Sequence, residues 1–516
     1  MRPSGMRDPR CATRARVAAA IRRGLRVAPI AVLAACSGSV ARPDLAATSA
    51  LEVLERIRQV EQGLLPANVI AGQPLPVMTL DERMRVFNVP GVSIAVVNGG
   101  RIEWAKGYGV ARAGDPRRVD TATLFQAASI SKPVAAIGAL RLVEQGRLAL
   151  DEDVNARLAS WKVPPGDSAR GESVTLRRLL SHNAGLTVHG FPGYARGLPV
   201  PTAAQVLDGA PPANTAPVRL DLVPGTRWRY SGGGYTVAQQ LMSDATARPF
   251  AALMEELVLR PAGMRASTYE QPLPDALAGR AAHAHTRQGT PIPGDWHTYP
   301  EQAAAGLWTT PSDLARMMLA VQRAVAGSPG EILTPAMARD MLAVQAGEYG
   351  LGFGLRGSGA TRVFAHGGSN RGFRAMFVAF VEAGQGAVVM TNADLGSALI
   401  DEILRAVATT YGWPDFRPQE KAVVAIDSAT LPALVGRYRV DAPQGVQVVT
   451  IALASGRLQA SLPNWLGPRT LHASGGDRFF MLESGLELGF ERDAAGGATA
   501  VVLLGGGQPM RATRIE

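Results

Sequence analysis

Residues 125–133 read FQAASISKP, and the run contains a residue that the chain otherwise avoids. Of 53 basic residues only four are lysines: Lys106, Lys132, Lys162 and Lys421. Lys132 follows Ser129 by three positions, and residues three apart on a helix share a face. The sequence beyond predicts that helix. Val134, Ile137, Leu140, Leu142 and Val143 form an apolar stripe, and Gly146 marks its end. Pro133 fits only in a first turn, which places Ser129 at the helix N-terminus, where peptide N–H groups favour negative charge. A serine hydroxyl becomes a nucleophile when a base lies within hydrogen-bond reach. Lysine is such a base only when neutral, which requires burial or neighbouring positive charge to bring its pKa from ~10.4 to near 7. Arginine does not lose its proton, so a chain built on arginine keeps lysine where a proton must move.

Outward from this run the pattern changes. Residues 51–65 (LEVLERIRQVEQGLL) have helical spacing. GVSIAVVNGGRIEWAKGYGVA, from Gly91, places β-branched residues on both sides of Asn98-Gly99-Gly100 and predicts a hairpin. Residues 374–392 (RAMFVAFVEAGQGAVVMTN) predict a second, turning at Ala383–Gly386. Leu399, Ile400, Ile403, Leu404 and Val407 then recur at helical spacing. Hairpins near both ends of a segment whose middle is helical predict an α+β fold: one antiparallel sheet flanked by helices, with a helical insertion. Residues 413–427 are expected to be a linker. Residues 428–516 hold short strands (GRYRV, GVQVVTIAL, RLQASL, RFFML, LELGFE, TAVVLL) between Gly/Asp/Ser turns, which predicts a small β-barrel-like domain.

The formal charge of +10 is unevenly placed. Residues 1–35 carry eight arginines and one acid, Asp8, so the remainder is nearly balanced and gives no support to a nucleic-acid partner. Arg22, Arg23 and Arg26 precede the apolar run Val27–Ala35, too short to span a bilayer, which reads as a secretory signal. The ending Leu33-Ala34-Ala35-Cys36 resembles a bacterial lipobox, which implies cleavage before Cys36, lipidation there and a tether over 36–50. The expected location is the periplasmic side of the envelope, at the outer rather than the inner membrane. Cys11 and Cys36 are the only cysteines, so a chain starting at Cys36 has no thiol left for catalysis or metal.

Three motifs in order carry a family resemblance. The run 124–150 with Ser129 and Lys132, then Tyr230-Ser231-Gly232 in RWRYSGGGYTVAQQL, then His366-Gly367-Gly368 in FAHGGSNRGFRAMF, resemble the β-lactamase and penicillin-binding-protein superfamily, class C type. The segments LLSHNAGL (179–186) and AAAGLWTTPSDLARMM (303–318) are similar to its connecting segments, so the resemblance covers residues 51–412. It implies a serine hydrolase working through an acyl-enzyme on ester, amide or peptide bonds, with no cofactor and no metal. Ser129 is acylated, Lys132 shares its proton, and Tyr230 relays protons once its pKa is lowered or its proton shared. Backbone N–H groups of Ser129 and Ser369 form the oxyanion hole, and His366, Gly367, Gly368 and Gly232 bind substrate. Two positions depart from the pattern: Gly232 stands where Asn is usual, and His366 replaces a permanent cation with a largely neutral group. Both favour an esterase or peptidase over a β-lactamase or D-Ala-D-Ala carboxypeptidase. A catalytically weak envelope binding protein is the alternative of another class.

Other candidates are weaker. Ala326-Gly327-Ser328-Pro329-Gly330 nearly matches G-x-S-x-G but follows no strand pattern, so a loop is expected. His283 and His285 lack further metal-ligand company, and His182 reads as a structural hydrogen-bonding residue.

Overall fold

Residues 91–109 form the predicted hairpin. Strands β1 (Gly91–Asn98) and β2 (Arg101–Gly109) pair antiparallel with Asn98 opposite Arg101, and Gly99 and Gly100 take the positive φ that a two-residue hairpin turn requires. The computed structural model describes residues 49–166, 169–442, 445–462, 467–505 and 509–516. The expected signal segment, Cys36 and the tether up to residue 48 lie outside these. Of the expected tether, Ser49 and Ala50 already begin helix α1 (Ala50–Gln62), where Ser49 and Glu52 form a reciprocal capping box.

The other four strands of the first sheet come from the far end of the segment: β3 (Gly354–Arg356), β4 (Val363–Asn370), β5 (Phe373–Phe380) and β6 (Gly386–Thr391). The order is β2-β1-β6-β5-β4-β3, with every neighbour antiparallel. Residues 110–353 form the insertion, as the pattern of hairpins and helices predicted. The second hairpin turns earlier than expected. Gly386 is already strand, opposite Ala379 and Val97, and a Cβ there would sit 2.3 Å from the Met318 sulfur and 2.6 Å from the Val378 carbonyl. This glycine serves close packing rather than a turn.

Strand β1 is buried on both faces, and alternation divides its side chains between two cores. Ala95 and Val97 face the insertion core, built around α3 (Ser131–Glu144) with α4 (Gly232–Thr246) and α5 (Pro311–Val325). Val92, Ile94 and Val96 face a second core, covered by α1, α2 (Leu80–Val86) and α6 (Gly396–Thr410). The predicted stripe of α6 is buried as expected, and each of its large side chains contributes roughly 1.5–3 kcal/mol relative to exposure. Helix α3 differs from the expected amphipathic stripe. From Ser131 to Leu140 every residue is buried, because the helix runs through the middle of the domain.

The C-terminal strands form a nine-stranded antiparallel sheet, three more strands than the sequence pattern marked. They are β7 (Gly436–Ala442), β8 (Gly445–Ala454), β9 (Arg457–Ser461), β10 (Arg469–Thr470), β11 (His472–Gly475), β12 (Arg478–Phe480), β13 (Glu487–Arg492), β14 (Ala498–Leu504) and β15 (Met510–Arg514). The order is β10-β9-β8-β7-β15-β14-β13-β12-β11. The two edge strands are separated in the chain by Leu471 alone, so the sheet must curl until its edges nearly meet. Its inner face is a separate core that includes Tyr438, Ile451, Phe479 and Val501.

The stretch expected as a linker is packed. Trp413 is fully buried against Phe380, and Gln419–Lys421 pairs in parallel with Asn68–Ile70. The buried Asn68 amide donates to the carbonyls of Met481 (2.7 Å) and Ser484 (2.8 Å), and Lys421 pairs with Glu487.

Candidate active site

Ser129 lies in a 3-10 turn, Ala128–Ile130, that runs directly into α3, with Pro133 third in the helix as predicted. Ala128, immediately before it, has φ of +50°, a left-handed conformation that costs a residue with a Cβ of order 1–3 kcal/mol. Ser131 fixes this turn. Its hydroxyl donates to Ala128 O (2.5 Å) and accepts from Leu307 N (3.0 Å), while the Tyr269 hydroxyl donates to Ser131 O (2.6 Å). The result raises the Ser129 side chain beside Lys132.

Lys132 Nζ is 3.0 Å from Ser129 Oγ and donates to Ala304 O at 2.8 Å, in the short helix Gln302–Ala305. Lys132 is 2 % exposed, and no carboxylate pairs with it within 4 Å among the described residues. Burial therefore acts unopposed and lowers its pKa to about 7. Near neutral pH about half of the molecules carry an uncharged amine against the serine hydroxyl.

Tyr230 packs its ring over this amine, with Nζ 4.8 Å from the ring centroid. Its phenol departs from expectation. Burial raises its pKa well above the ordinary value, and the Ser129 hydroxyl is the neighbour that opposes the rise. A buried phenol next to a half-neutral lysine gains no cation strong enough to draw its proton away, so Tyr230 stays a neutral donor and acceptor. His182 packs behind it with the rings tilted and their centroids 4.2 Å apart, and its Nδ1 accepts from Ser231 N (3.1 Å), which fixes the proton on Nε2. His182 is thus the hydrogen-bonding residue that the sequence indicated, and it also backs Tyr230.

Strand β4 lies against the serine turn because Gly368 has no side chain. A Cβ there would fall 2.2 Å from Ala127 O. The contact brings Ser369 beside Ser129, and both line one cavity of about 720 Å³ with Tyr230, His366 and Gly367. His366 donates from Nδ1 to Gly367 O (2.6 Å), leaving the Nε2 lone pair without a partner. Burial, with Lys132 nearby, lowers the His366 pKa to about 3, so the ring is neutral throughout the physiological range.

Gly232, expected to bind substrate, does not line this cavity. It is buried at the start of α4, its N–H donates to His189 O (3.1 Å), and a Cβ would meet the Phe191 ring at 2.9 Å. The segment His189–Phe191 occupies the space above it and lines the cavity instead. Ser231 caps α4, its hydroxyl accepting from Gly234 N (2.9 Å) and donating to Thr187 O (2.8 Å). Sequence reasoning missed both His189–Phe191, which carry no motif, and Ser397 and Asp401 of α6, which also reach the cavity. The last two sit on the polar side of an amphipathic pattern, which reads as a solvent face.

The remaining candidates fall elsewhere. His285 is stitched into the fold, Nδ1 donating to Asn392 O (2.7 Å) and Nε2 accepting from Ala113 N (3.0 Å), and His283 faces Asp295. Ser328 lies in a loop after α5 with no strand before it. Among the described residues no group of His, Cys, Asp and Glu has the arrangement to hold a metal ion.

A family model described as Beta-lactamase matches residues 79–410. Esterase EstB of Burkholderia gladioli is 30% identical over 304 residues, which span 53% of this chain and 76% of that protein. Penicillin-binding protein 4* of Bacillus subtilis (strain 168) is 23% identical over 395 residues, spanning 69% of this chain and 81% of that one. Among solved structures, the octameric penicillin-binding protein homologue from Pyrococcus abyssi matches with a TM-score of 0.56 at 20% identity, covering 84% of this chain and 98% of that chain, a likeness of fold.

Proposed function

The chain belongs to the beta-lactamase family and is a serine hydrolase, and from that premise we propose that Ser129, Lys132 and Tyr230 are its catalytic residues and that its substrates are esters first and amides second. One observation carries the proposal: an unpaired, buried Lys132 with pKa about 7 lies 3.0 Å from Ser129 Oγ. Neutral Lys132 takes the Ser129 proton as Oγ attacks the carbonyl carbon. The N–H groups of Ser129 and Ser369 receive the developing oxyanion. Tyr230, a neutral phenol, donates its proton to the leaving oxygen or nitrogen and recovers one from Lys132. The bond to the leaving group breaks, and Ser129 is left acylated. Water then attacks the acyl carbon, its proton passes to the same pair, and Ser129 leaves.

The preference for esters rests on the neutral His366, since β-lactams and D-Ala-D-Ala peptides carry a carboxylate that a permanent cation would hold. The relative named as an esterase agrees with it. A fluorophosphonate probe is expected to label Ser129 and to leave Ser129→Ala unlabelled, with p-nitrophenyl esters turned over well above nitrocefin. Absence of a Ser129 adduct together with no ester turnover would sink the assignment. From the leader alone we place the mature protein in the envelope, lipidated at Cys36. Palmitate incorporation that Cys36→Ser leaves unchanged would refute this.

A further inference from the structure

Helix α6 contributes three residues to the catalytic cavity, Ser397, Ile400 and Asp401, at the i, i+3, i+4 spacing that puts them on one face. Asp401 has surface open to the cavity and no hydrogen bond or ion pair within 4 Å among the described residues; surrounding protein raises its carboxyl pKa, and Arg405 works against that rise. Its neighbour on the helix is treated differently: Glu402 receives two hydrogen bonds from Arg83, at 2.7 and 2.6 Å. Arg405, one turn beyond Asp401, donates to Leu65 O (3.3 Å).

The other polar groups of the cavity do not balance Asp401. His366 is neutral, and Lys132 lies behind Ser129 with its amine turned to Ala304 O. Arg405 acts on Asp401 through space without pairing with it, and Arg371 and Arg374 line an adjoining cavity that shares Phe191 and Ser369, where both pair with Asp394. The cleft therefore has an acidic end at α6 and a basic end beyond Ser369. Field lines concentrate in such a low-dielectric cleft, so a carboxylate without a direct ion pair acts on any charge a substrate brings.

Resting on the assignment of Ser129 as nucleophile, we propose that Asp401 is a cation subsite and that the enzyme selects substrates bearing an ammonium group on one side of the scissile bond, rejecting a carboxylate there. The step needs no chemistry beyond acyl transfer.

Matched substrates test it. On the acyl side these are p-nitrophenyl esters of 4-(trimethylammonio)butyrate, of its uncharged tert-butyl isostere and of glutarate. On the leaving side they are acetylthiocholine and the isosteric neutral thioacetate. On one of the two sides the cation is expected to exceed its neutral isostere roughly tenfold in kcat/KM, the size of a screened charge pair a few ångströms apart, with the margin shrinking as salt is added. Asp401→Asn is expected to bring the ratio to about unity, Asp401→Glu to keep it and Asp401→Lys to invert it. The same cation-over-neutral preference in equilibrium binding to Ser129→Ala, removed by adding Asp401→Asn, reads the subsite without turnover. A ratio that Asp401→Asn leaves unchanged, or no charge preference on either side in an enzyme that turns over the neutral esters, overturns the proposal. Failure of the hydrolase assignment shows separately, as absent Ser129 labelling with the binding preference intact.

Discussion

Lys132 and Glu402 are buried ionisable groups on opposite sides of the same sheet, 2 % and 3 % exposed, with opposite company. Glu402 receives a two-pronged guanidinium from Arg83, which works against the rise in pKa that burial causes. Lys132 receives two neutral oxygens and no carboxylate, so burial alone decides, and its proton becomes labile near pH 7. The difference teaches what pairing does inside a protein. A paired buried group is held against desolvation by its partner, and an unpaired one is left to it.

The sharpest way to break this contrast is to make Lys132 permanently charged. Lys132→Arg keeps a cation but cannot deprotonate, and ester hydrolysis is expected to fall by at least about a thousandfold while the circular dichroism spectrum stays native. Tyr230→Phe removes the proposed proton relay and leaves the proposed base, so a loss of about a hundredfold, chiefly in kcat, is expected in the same assay. On the other side, Arg83→Met strands Glu402 without a partner. Urea unfolding is expected to show about 3 kcal/mol of destabilisation, with kcat of the folded enzyme little changed. Equal loss of stability in Lys132→Met and Arg83→Met would erase the distinction.

Titration sharpens it further. The proposed mechanism needs neutral Lys132, so kcat/KM is expected to rise with pH through an acid limb near 7, tenfold per pH unit below it. His366, at about 3, contributes nothing above pH 5, and His366→Gln should leave the limb where it is. Stability follows the same group. The folded pKa lies below the ordinary 10.5, so the unfolded chain binds more protons between these values and stability rises with pH from about 7 to 10.5. Lys132→Met is expected to flatten that rise in melting temperature. The smallest effect expected is at Gly232→Ala, whose new Cβ must displace Phe191 and alter KM a few-fold.

Much of this is legible in the sequence alone. The Ser129–Lys132 spacing predicts adjacency because a helical turn has one period, and Asn98-Gly99-Gly100 predicts its hairpin because few residues accept that turn. Tyr230 was legible only through the ordered motifs, since a lone tyrosine carries no period. What stayed hidden depends on distant packing. The dielectric around Tyr230, which raises its phenol rather than lowering it, comes from rings far apart in sequence. The cover over Gly232 comes from His189–Phe191, and the cavity face of α6 is the side its pattern assigns to solvent. Turn position at Gly386 misled for the same reason, because the neighbour that demands a glycine is Met318.

The pairing of β1 with β6 also governs how the chain comes together. Ile94 lies opposite Val389, so these two inner strands of the sheet meet only after a loop of roughly 300 residues has closed, an arrangement that slows folding through its high contact order. During synthesis β1 and β2 emerge first and wait as a hairpin with an open inner edge until residues 386–391 arrive. Any chain cut short inside the insertion keeps that edge bare, and edge-to-edge association of such fragments is the expected fate.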